Sequence, residues 1–232
     1  MNADNLSLGR RLAAEALGSF FLFATVIGSG IMAEALAQGN DAVALIGNTV
    51  ATGAMLFVLI TMLGPVSGAQ MNPAVSLVAA SRREMSWRDA VAYIAVQLLC
   101  GIAGALAAHA MFDLPLLQLS DRVRTGGGQW LGEAIATFGL VLTIWGTAKH
   151  RPKAVPASVA MYITAAYWFT SSTSFANPAI TVARSLTDSF SGIAPHNAPG
   201  FIVAQLVGAG LAAVVVRALF DDRVSDEAMP LR

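Results

Sequence analysis

The sequence predicts an all-α membrane protein with six transmembrane helices and two re-entrant half-helices, arranged as an inverted repeat of three plus three. Of the 232 residues, 56% are hydrophobic and 12% are charged, about half the charged fraction of an ordinary soluble domain. Residues 42–81 and 154–183 contain no Lys, Arg, Asp or Glu, over forty and thirty positions. The tripeptide Asn-Pro-Ala occurs once in each run, at 72–74 and 177–179. A span needs only about 20 residues, so each run holds more than one helix.

The composition also argues against several classes of protein. The 14 basic and 14 acidic residues balance to a net charge of zero, so nothing indicates a nucleic-acid partner. The single Cys100 excludes an internal disulfide and a cysteine-rich metal site. No cluster of His, Asp or Glu favours a metal, and no nucleophile–base pair favours catalysis. We therefore expect a lipid-embedded protein that is not an enzyme and holds no cofactor or metal.

The Asn-Pro pairs predict where the half-helices begin. Asn caps a helix, and Pro fits its first turn, where the missing N–H is not needed. For the first half the sequence predicts, in order, span one at about 12–33, span two at 42–63, a Gly/Ser-rich loop at 64–71, a half-helix at 72–81 and span three at 90–111. A cleaved signal peptide is the alternative for span one, but its apolar stretch is long and carries Glu15.

The second half repeats this order. It is predicted to comprise span four at about 129–148, span five at 155–170, a loop at 171–176, a half-helix at 177–186 and span six at 198–216, with a polar tail at 221–232. Three segments of the first half match three of the second in the same order: 15–20 with 133–138, 72–76 with 177–181, and 97–101 with 205–209. The chain is therefore one domain, 1–232, made of repeat one (8–111) and repeat two (129–217). Each repeat has three spans, an odd number, so the second is inverted in the membrane.

The basic residues predict the orientation. With a cytoplasmic N-terminus, eleven of them lie on the inner side: Arg10, Arg11, Arg82, Arg83, Arg88, Lys149, Arg151, Lys153, Arg217, Arg223 and Arg232. Only three lie outside: Arg122, Arg124 and Arg184. This positive-inside bias predicts that both termini lie in the cytoplasm. We expect the protein in the plasma (inner) membrane. The half-helices then enter from opposite sides and their N-termini meet near the midplane.

Two non-helical loops at membrane depth predict a pore. Such backbone is tolerated only where protein buries it or where it lines a water-filled cavity. Asn72 and Asn177 would cap their helices through the side-chain oxygen and turn their NH₂ groups toward a passing solute. The positive ends of two half-helices would oppose cations, while a neutral hydroxylated solute could still form hydrogen bonds. The device needs no energy input, so we expect passive transport.

These motifs resemble those of the aquaporin (major intrinsic protein) family. The resemblance covers about residues 12–216 and rests on Glu-x-x-x-[Ser/Thr]-Phe, on Ser-Gly-Ala-Gln-Met-Asn-Pro-Ala-Val at 67–75, on the second Asn-Pro-Ala and on two Gln-x-x-small-small segments. It implies a right-handed bundle around one pore per subunit, a homotetramer, and passage of water or small neutral solutes. The pore motifs would be Asn72, Pro73, Ala74, Asn177, Pro178 and Ala179, with Gln70, Met71 and Phe175 on the pore wall.

Two carboxylates inside spans admit two interpretations. Glu15 and Glu133 could couple proton movement in a secondary transporter, since many transporters also use inverted repeats and broken helices. The resemblance instead favours a structural role, in which each accepts hydrogen bonds from the loop N–H groups. Gln97 and Gln205 would help to pack the same loops.

The resemblance also places a selectivity filter near the outer mouth, formed by Thr52, Ala165, Ser174 and Ile180. The family usually has Arg where this chain has Ile180, and Arg184 follows one helical turn later. Arg184 is expected in the outer vestibule, or as a solvated charge at a helix end. Four small or neutral side chains predict a wide, arginine-free filter. Thr-Ser-Phe-Ala-Asn-Pro-Ala without a filter arginine resembles bacterial aquaporins that accompany arsenic resistance, so arsenite or related metalloid hydroxides are the expected solutes, with glycerol, urea and water as alternatives.

Overall fold

In a computed structural model that describes residues 6–220, the regular secondary structure of this part of the chain is all helical, with no strand. The helices are α1 (Leu8–Ala37), α2 (Asp41–Ser67), α3 (Pro73–Ser81), α4 (Trp87–Met111), α5 (Gly127–His150), α6 (Val155–Phe169), α7 (Pro178–Arg184) and α8 (Ala198–Phe220). Five of them, α1, α2, α4, α5 and α8, are long and apolar enough to cross a bilayer. The remaining span, α6, has 15 residues and follows a short 3-10 turn. The predicted tail at 221–232 lies outside the described residues.

The half-helices begin where the Asn-Pro signals predict, and α2 ends later than predicted. Asn72 and Asn177 are the caps of α3 and α7. Helix α2 does not end before Gly64 but continues through Pro65 to Ser67. A proline is tolerated in a membrane helix because neighbouring groups satisfy the backbone that it frees. The helix ends instead at Gly68, whose φ of 87° lies in the left-handed region that glycine adopts readily.

Helix packing follows a two-fold pattern. Helix α1 packs against α2 and α4, and α5 packs in the same way against α6 and α8, while α2 and α6 meet across the centre. Each half-helix contacts α4 or α8 of its own repeat and the corresponding helix of the other. This is the inverted three-plus-three bundle predicted from the sequence, with the two half-helices at its centre.

Two glycines allow α4 to approach α1 closely, and α8 to approach α5. A Cβ on Gly104 of α4 would overlap the carbonyl oxygen of Phe20, and a Cβ on Gly208 of α8 would overlap that of Ala134. The two contacts occupy equivalent places in the repeats, at the α1–α4 and α5–α8 crossings. Small residues at such crossings let helix backbones approach closely within a bilayer.

The outward surface of the bundle is apolar. Large hydrophobic side chains such as Leu99 (71% exposed) and Val203 (61% exposed) point away from the core. The core itself is formed by side chains with no exposed surface, including Phe23, Ile27 and Phe201. An apolar exterior around a close-packed interior is the arrangement expected of a protein in lipid.

Candidate functional site

The two half-helices meet through their Asn caps. Each Asn Oδ1 accepts the N–H of the residue two places on, at 2.9 Å for Asn72 and 3.0 Å for Asn177. Each Nδ2 crosses to the other repeat, where Asn72 donates to the carbonyl of Ala176 and Asn177 to that of Met71, both at 2.8 Å. An amide NH₂ has two hydrogens, so each side chain keeps one donor for another acceptor.

The loops before the two caps share an unusual backbone. Ala69 and Met71 have φ values of 46° and 47°, and Ser174 and Ala176 have 49° and 48°. These positions lie three residues and one residue before each Asn. Left-handed conformations cost a non-glycine residue about 1–3 kcal/mol and persist only where the surroundings impose them.

Glu15 holds the first loop in this conformation. Its carboxylate accepts hydrogen bonds from Ser67 Oγ (2.7 Å), Gln70 N (2.9 Å), Met71 N (2.7 Å) and Gln97 Nε2 (2.9 Å). The side chain has no exposed surface. Because all four partners donate, the carboxylate serves as a fixed acceptor for the strained loop.

Glu133 does the same for the second loop. It accepts from Phe175 N at 2.8 Å, Ala176 N at 2.9 Å and Gln205 Nε2 at 2.5 Å, and it is also fully buried. Charge-assisted hydrogen bonds of this kind are about twice as strong as neutral ones.

The two glutamines extend each network into the half-helix. Gln97 Nε2 also donates to Ser76 Oγ of α3 at 3.1 Å, and Gln205 Nε2 to Thr181 Oγ1 of α7 at 2.9 Å. The carboxylate, the loop and the half-helix of each repeat are thereby joined into one rigid unit.

A cavity of about 250 Å³ runs past both Asn side chains. Gln70, Met71 and Phe175 line it, together with apolar residues such as Leu56 and Ile163. One side of the passage is therefore hydrocarbon, and the other carries the loops and amides. No three His, Cys, Asp or Glu side chains within residues 6–220 lie close enough together to hold a metal ion.

The structure differs from the predicted filter at Ala165. Thr52, Ser174 and Ile180 line the cavity, whereas Ala165 lies on the exposed face of α6. Tyr167 lines the cavity instead, with its hydroxyl 3.3 Å from Thr52 Oγ1. Counting back from Asn177 missed Tyr167, although helical spacing offered a signal.

That signal is the four-residue period of α6. Val159, Ile163 and Tyr167 are each four residues apart, share one face of the helix and all line the cavity. Ala165 lies two residues from both Ile163 and Tyr167, so it is on a different face of the helix and faces outward.

Arg184 also differs from its predicted place. It is 1% exposed and lines the cavity, so it is neither a solvated charge nor a residue of an open vestibule. Its Nε donates to the carbonyl of Ser191, and its Cζ lies 3.3 Å from the centroid of the Phe175 ring. This part of the cavity thus contains Arg184 and Tyr167, which the sequence did not predict there, beside Phe175, which it did predict on the pore wall.

A second arginine comes from the loop between α4 and α5. Arg124 is 8% exposed, donates from Nε to the carbonyl of Gly192 at 2.8 Å, and has its Cζ 5.3 Å from the centroid of the Phe175 ring. Burial and the charges of Arg184 and Arg122 lower the pKa of Arg124 to about 9, so it remains protonated at neutral pH.

The other end of the cavity is lined by Glu84 and Trp145. Trp145 Nε1 donates to both carboxylate oxygens of Glu84, at 2.8 and 3.0 Å, and Arg82 Nε donates to the same carboxylate at 2.8 Å. These contacts tie the segment after α3 to α5. No motif in the sequence predicted this cluster.

Comparison with known proteins identifies the family. The family model described as Major intrinsic protein matches residues 2–171. The chain belongs to the major intrinsic protein family. Membership makes it an integral membrane protein of a non-enzymatic channel family.

Two relatives show how far the similarity to other major intrinsic proteins extends. The chain is 56% identical to aquaglyceroporin AqpS of Rhizobium meliloti (strain 1021) over 214 residues, which cover 92% of this chain and 91% of the relative. It is 31% identical over 256 aligned positions to aquaporin AqpM of Methanothermobacter thermautotrophicus, covering 92% and 98% of the two chains.

A solved structure supports the fold. The X-ray structure of the aquaglyceroporin from Plasmodium falciparum superposes with a TM-score of 0.73 at 17% identity, over 92% of this chain and 97% of the other. At this identity the likeness concerns the architecture alone. It agrees with the family's bundle of spans and half-helices.

Proposed function

We propose that this chain is a passive channel for small neutral solutes of about glycerol size, and that trihydroxy metalloids such as arsenite are among them. The observation that carries the proposal is the cavity that runs past two reciprocally bonded Asn amides. The 56% identity to a protein named an aquaglyceroporin supports the choice of solute class.

The wall of the cavity suits a polyol. Hydroxyl groups can donate to loop carbonyls and accept from the remaining N–H of Asn72 and Asn177, while carbon atoms face the apolar wall. Each half-helix also places a partial positive charge of roughly half a unit at its N-terminus. A neutral solute passes this field without cost, and a cation is opposed by it.

Metalloid permeation rests on chemical likeness to a polyol. Arsenite at neutral pH is an uncharged molecule with three hydroxyl groups, so it can make the same hydrogen bonds as glycerol. Tyr167 and Arg184 line the cavity, so metalloids would pass by hydrogen bonding as glycerol does and not through a wide, arginine-free filter. Urea and water remain alternative solutes in the flux test.

The direct test is flux into liposomes that contain the purified protein and no ion gradient. We expect stopped-flow light scattering to show glycerol entry, and arsenite uptake to exceed that of empty liposomes. Uptake that requires an imposed proton or sodium gradient would show a coupled transporter instead.

Two tryptophan variants on one helix provide matched controls for this assay. Ile163 lines the cavity and Ala165 faces outward. Ile163→Trp should block flux, while Ala165→Trp should leave it near the wild-type rate. Equal flux through both would show that the cavity is not the route.

We further propose a homotetramer in the plasma (inner) membrane with cytoplasmic termini. The eleven-to-three distribution of basic residues supports the orientation. Exposed apolar side chains such as Leu99 are compatible with contacts to lipid and to other subunits. Light scattering of the detergent-solubilised protein measures the number of subunits.

A further inference from the structure

The cavity has a second polar cluster at the end remote from Arg184. Helices α3 and α7 meet at their N-termini, through Asn72 and Asn177, and run in opposite directions from there. Arg184 ends α7, and Glu84 follows the end of α3, so these two cavity-lining residues lie at opposite ends of the cavity. A solute that passes the two Asn amides from the side of Arg184 therefore reaches Glu84 next.

Two contacts fix the indole of Trp145 in the wall of this end of the cavity. Its Nε1 donates to both carboxylate oxygens of Glu84, at 2.8 and 3.0 Å. The Cζ of Arg82 lies over the indole, 5.8 Å from the ring centroid. A ring that is already held at its edge and over one face loses little further freedom when a solute packs against it.

The carboxylate of Glu84 keeps the capacity for a further hydrogen bond. From donors within residues 6–220 it accepts three, two from Trp145 and one from Arg82 Nε at 2.8 Å, whereas its two oxygens offer about four lone-pair positions. The side chain is 44% exposed, so a solute can reach it. The guanidinium of Arg82 offsets the charge, so this acceptor attracts cations only weakly.

Gln70 supplies a donor beside this acceptor. Its Oε1 accepts from Ser76 Oγ at 2.6 Å, which fixes the orientation of the amide. Its Nε2 donates to Met85 Sδ at 3.6 Å, and Met85 directly follows Glu84 in the chain. The second hydrogen of Nε2 has no partner in the described part of the chain, and sulfur is a weak acceptor for the first. Because Gln70 and Glu84 both line the cavity, a solute meets a donor and an acceptor there.

We propose that Trp145, Glu84 and Gln70 form a binding site for small polyols at this end of the cavity. The indole is an apolar face for the C–H groups of the solute, Glu84 accepts from one hydroxyl group, and Gln70 donates to another. Adjacent hydroxyl groups of a polyol satisfy both at once, and water has no C–H groups to pack on the indole. Arg82 is a positioning residue that holds Trp145 and Glu84. The inference rests on the proposed function and adds a place where the permeating solute binds.

The concentration dependence of glycerol flux into liposomes tests this site. A binding site along the route makes flux saturate, so weakening the site raises the glycerol concentration that gives half-maximal flux. Because a hydrogen bond to a charged group corresponds to about a tenfold change in affinity or more, we expect that concentration to rise about tenfold in Glu84→Ala and in Trp145→Leu. Water permeability should stay near that of the wild type.

Trp168→Leu is the matched control. Trp168 also belongs to a membrane-spanning helix, α6, but it is 50% exposed and does not line the cavity. Its replacement should leave the half-maximal concentration unchanged. Trp145→Phe, which keeps an aromatic face and loses Nε1, provides a second variant in case leucine impairs folding, and its shift should be smaller than that of Trp145→Leu.

Tryptophan fluorescence measures binding at Trp145 without transport. The other three tryptophans, Trp87, Trp130 and Trp168, are exposed, so they can be replaced by phenylalanine to leave Trp145 alone. Glycerol should then change the emission of the detergent-solubilised protein with a saturable concentration dependence. Adding Glu84→Ala should shift the midpoint by about tenfold. A protein that keeps only Trp168 should show no saturable change.

The outcomes separate this inference from the function on which it rests. If the wild-type protein passes no glycerol, the proposed channel is wrong, and the fluorescence titration alone decides whether the site exists. If glycerol flux has the same half-maximal concentration in the wild type, in Glu84→Ala and in the folded variants at position 145, the channel stands and the site is overturned. An emission of Trp145 that does not saturate with glycerol overturns the site as well.

Discussion

At the scale of single residues, Asn72 and Asn177 each serve three purposes with one amide. The oxygen caps a half-helix, one N–H binds the carbonyl of Met71 or Ala176 in the other repeat, and one N–H remains for a solute. An isosteric side chain that lacks the N–H groups keeps the cap and loses the other two functions. Such a substitution therefore tests the role of the amide N–H groups separately from the role of the cap.

Asn72→Asp is expected to keep α3 capped but to lose the hydrogen bond to Ala176. The unpaired carbonyl should cost about 1–3 kcal/mol, and the new negative charge should admit cations at the centre of the pore. Thermal unfolding in detergent and proton entry into liposomes measure the two effects.

A cap at the surface controls for the substitution itself. Asn40 accepts from Ala42 N and Val43 N as the exposed cap of α2, and Asp caps about as well as Asn. Asn40→Asp should therefore change neither property. Equal effects at both positions would contradict the role assigned to Asn72.

At the scale of helices, the close crossings of α1 with α4 and of α5 with α8 depend on single glycines. Gly208 packs against the carbonyl oxygen of Ala134, whereas Gly210, on the same helix, has no atom within 4 Å of an added Cβ. Both glycines lie in α8, and only Gly208 packs against a neighbouring helix, so substitutions at the two positions form a matched pair.

Gly208→Ala should destabilise the protein by about 1–3 kcal/mol, because the added methyl forces α5 and α8 apart. Gly210→Ala should be neutral or stabilise by up to about 1 kcal/mol, since Ala favours the helix more than Gly. Thermal unfolding in detergent compares them. A similar loss in both variants would show that the crossing does not depend on the contact of Gly208.

The helices were predictable from the sequence to a degree that the filter was not. Asn-Pro pairs and apolar runs are local signals, so the starts of α3 and α7 and all six spans follow from them. Arg184 depends on where Phe175 and the carbonyl of Ser191 lie, and Arg124 on a loop without periodicity. Such contacts are set by tertiary packing, which a count of residues from Asn177 does not contain.

At the scale of the whole molecule, the side of the membrane on which one connecting loop lies determines the side of every other loop. The loop after α4 and the turn before α6 must lie on opposite sides of the membrane if the bundle is inserted as proposed. The chain has one cysteine, Cys100, which makes labelling from one side simple to interpret once it is replaced.

In a Cys100→Ser background, Leu117→Cys should react with a membrane-impermeant maleimide on intact cells, and Lys153→Cys only after lysis. Leu117 is 78% exposed in the loop after α4, and Lys153 is exposed in the turn before α6. The expectation follows from the distribution of basic residues. The opposite labelling pattern would reverse the proposed orientation.

The reciprocal bonds of Asn72 and Asn177 have a consequence for how the protein matures. Each repeat carries a donor amide and an acceptor carbonyl whose partners lie only in the other repeat. A repeat inserted alone would leave these groups without their protein partners at the depth of the bilayer core. The cavity is therefore completed only when both repeats are in place. Neither repeat can form it by itself.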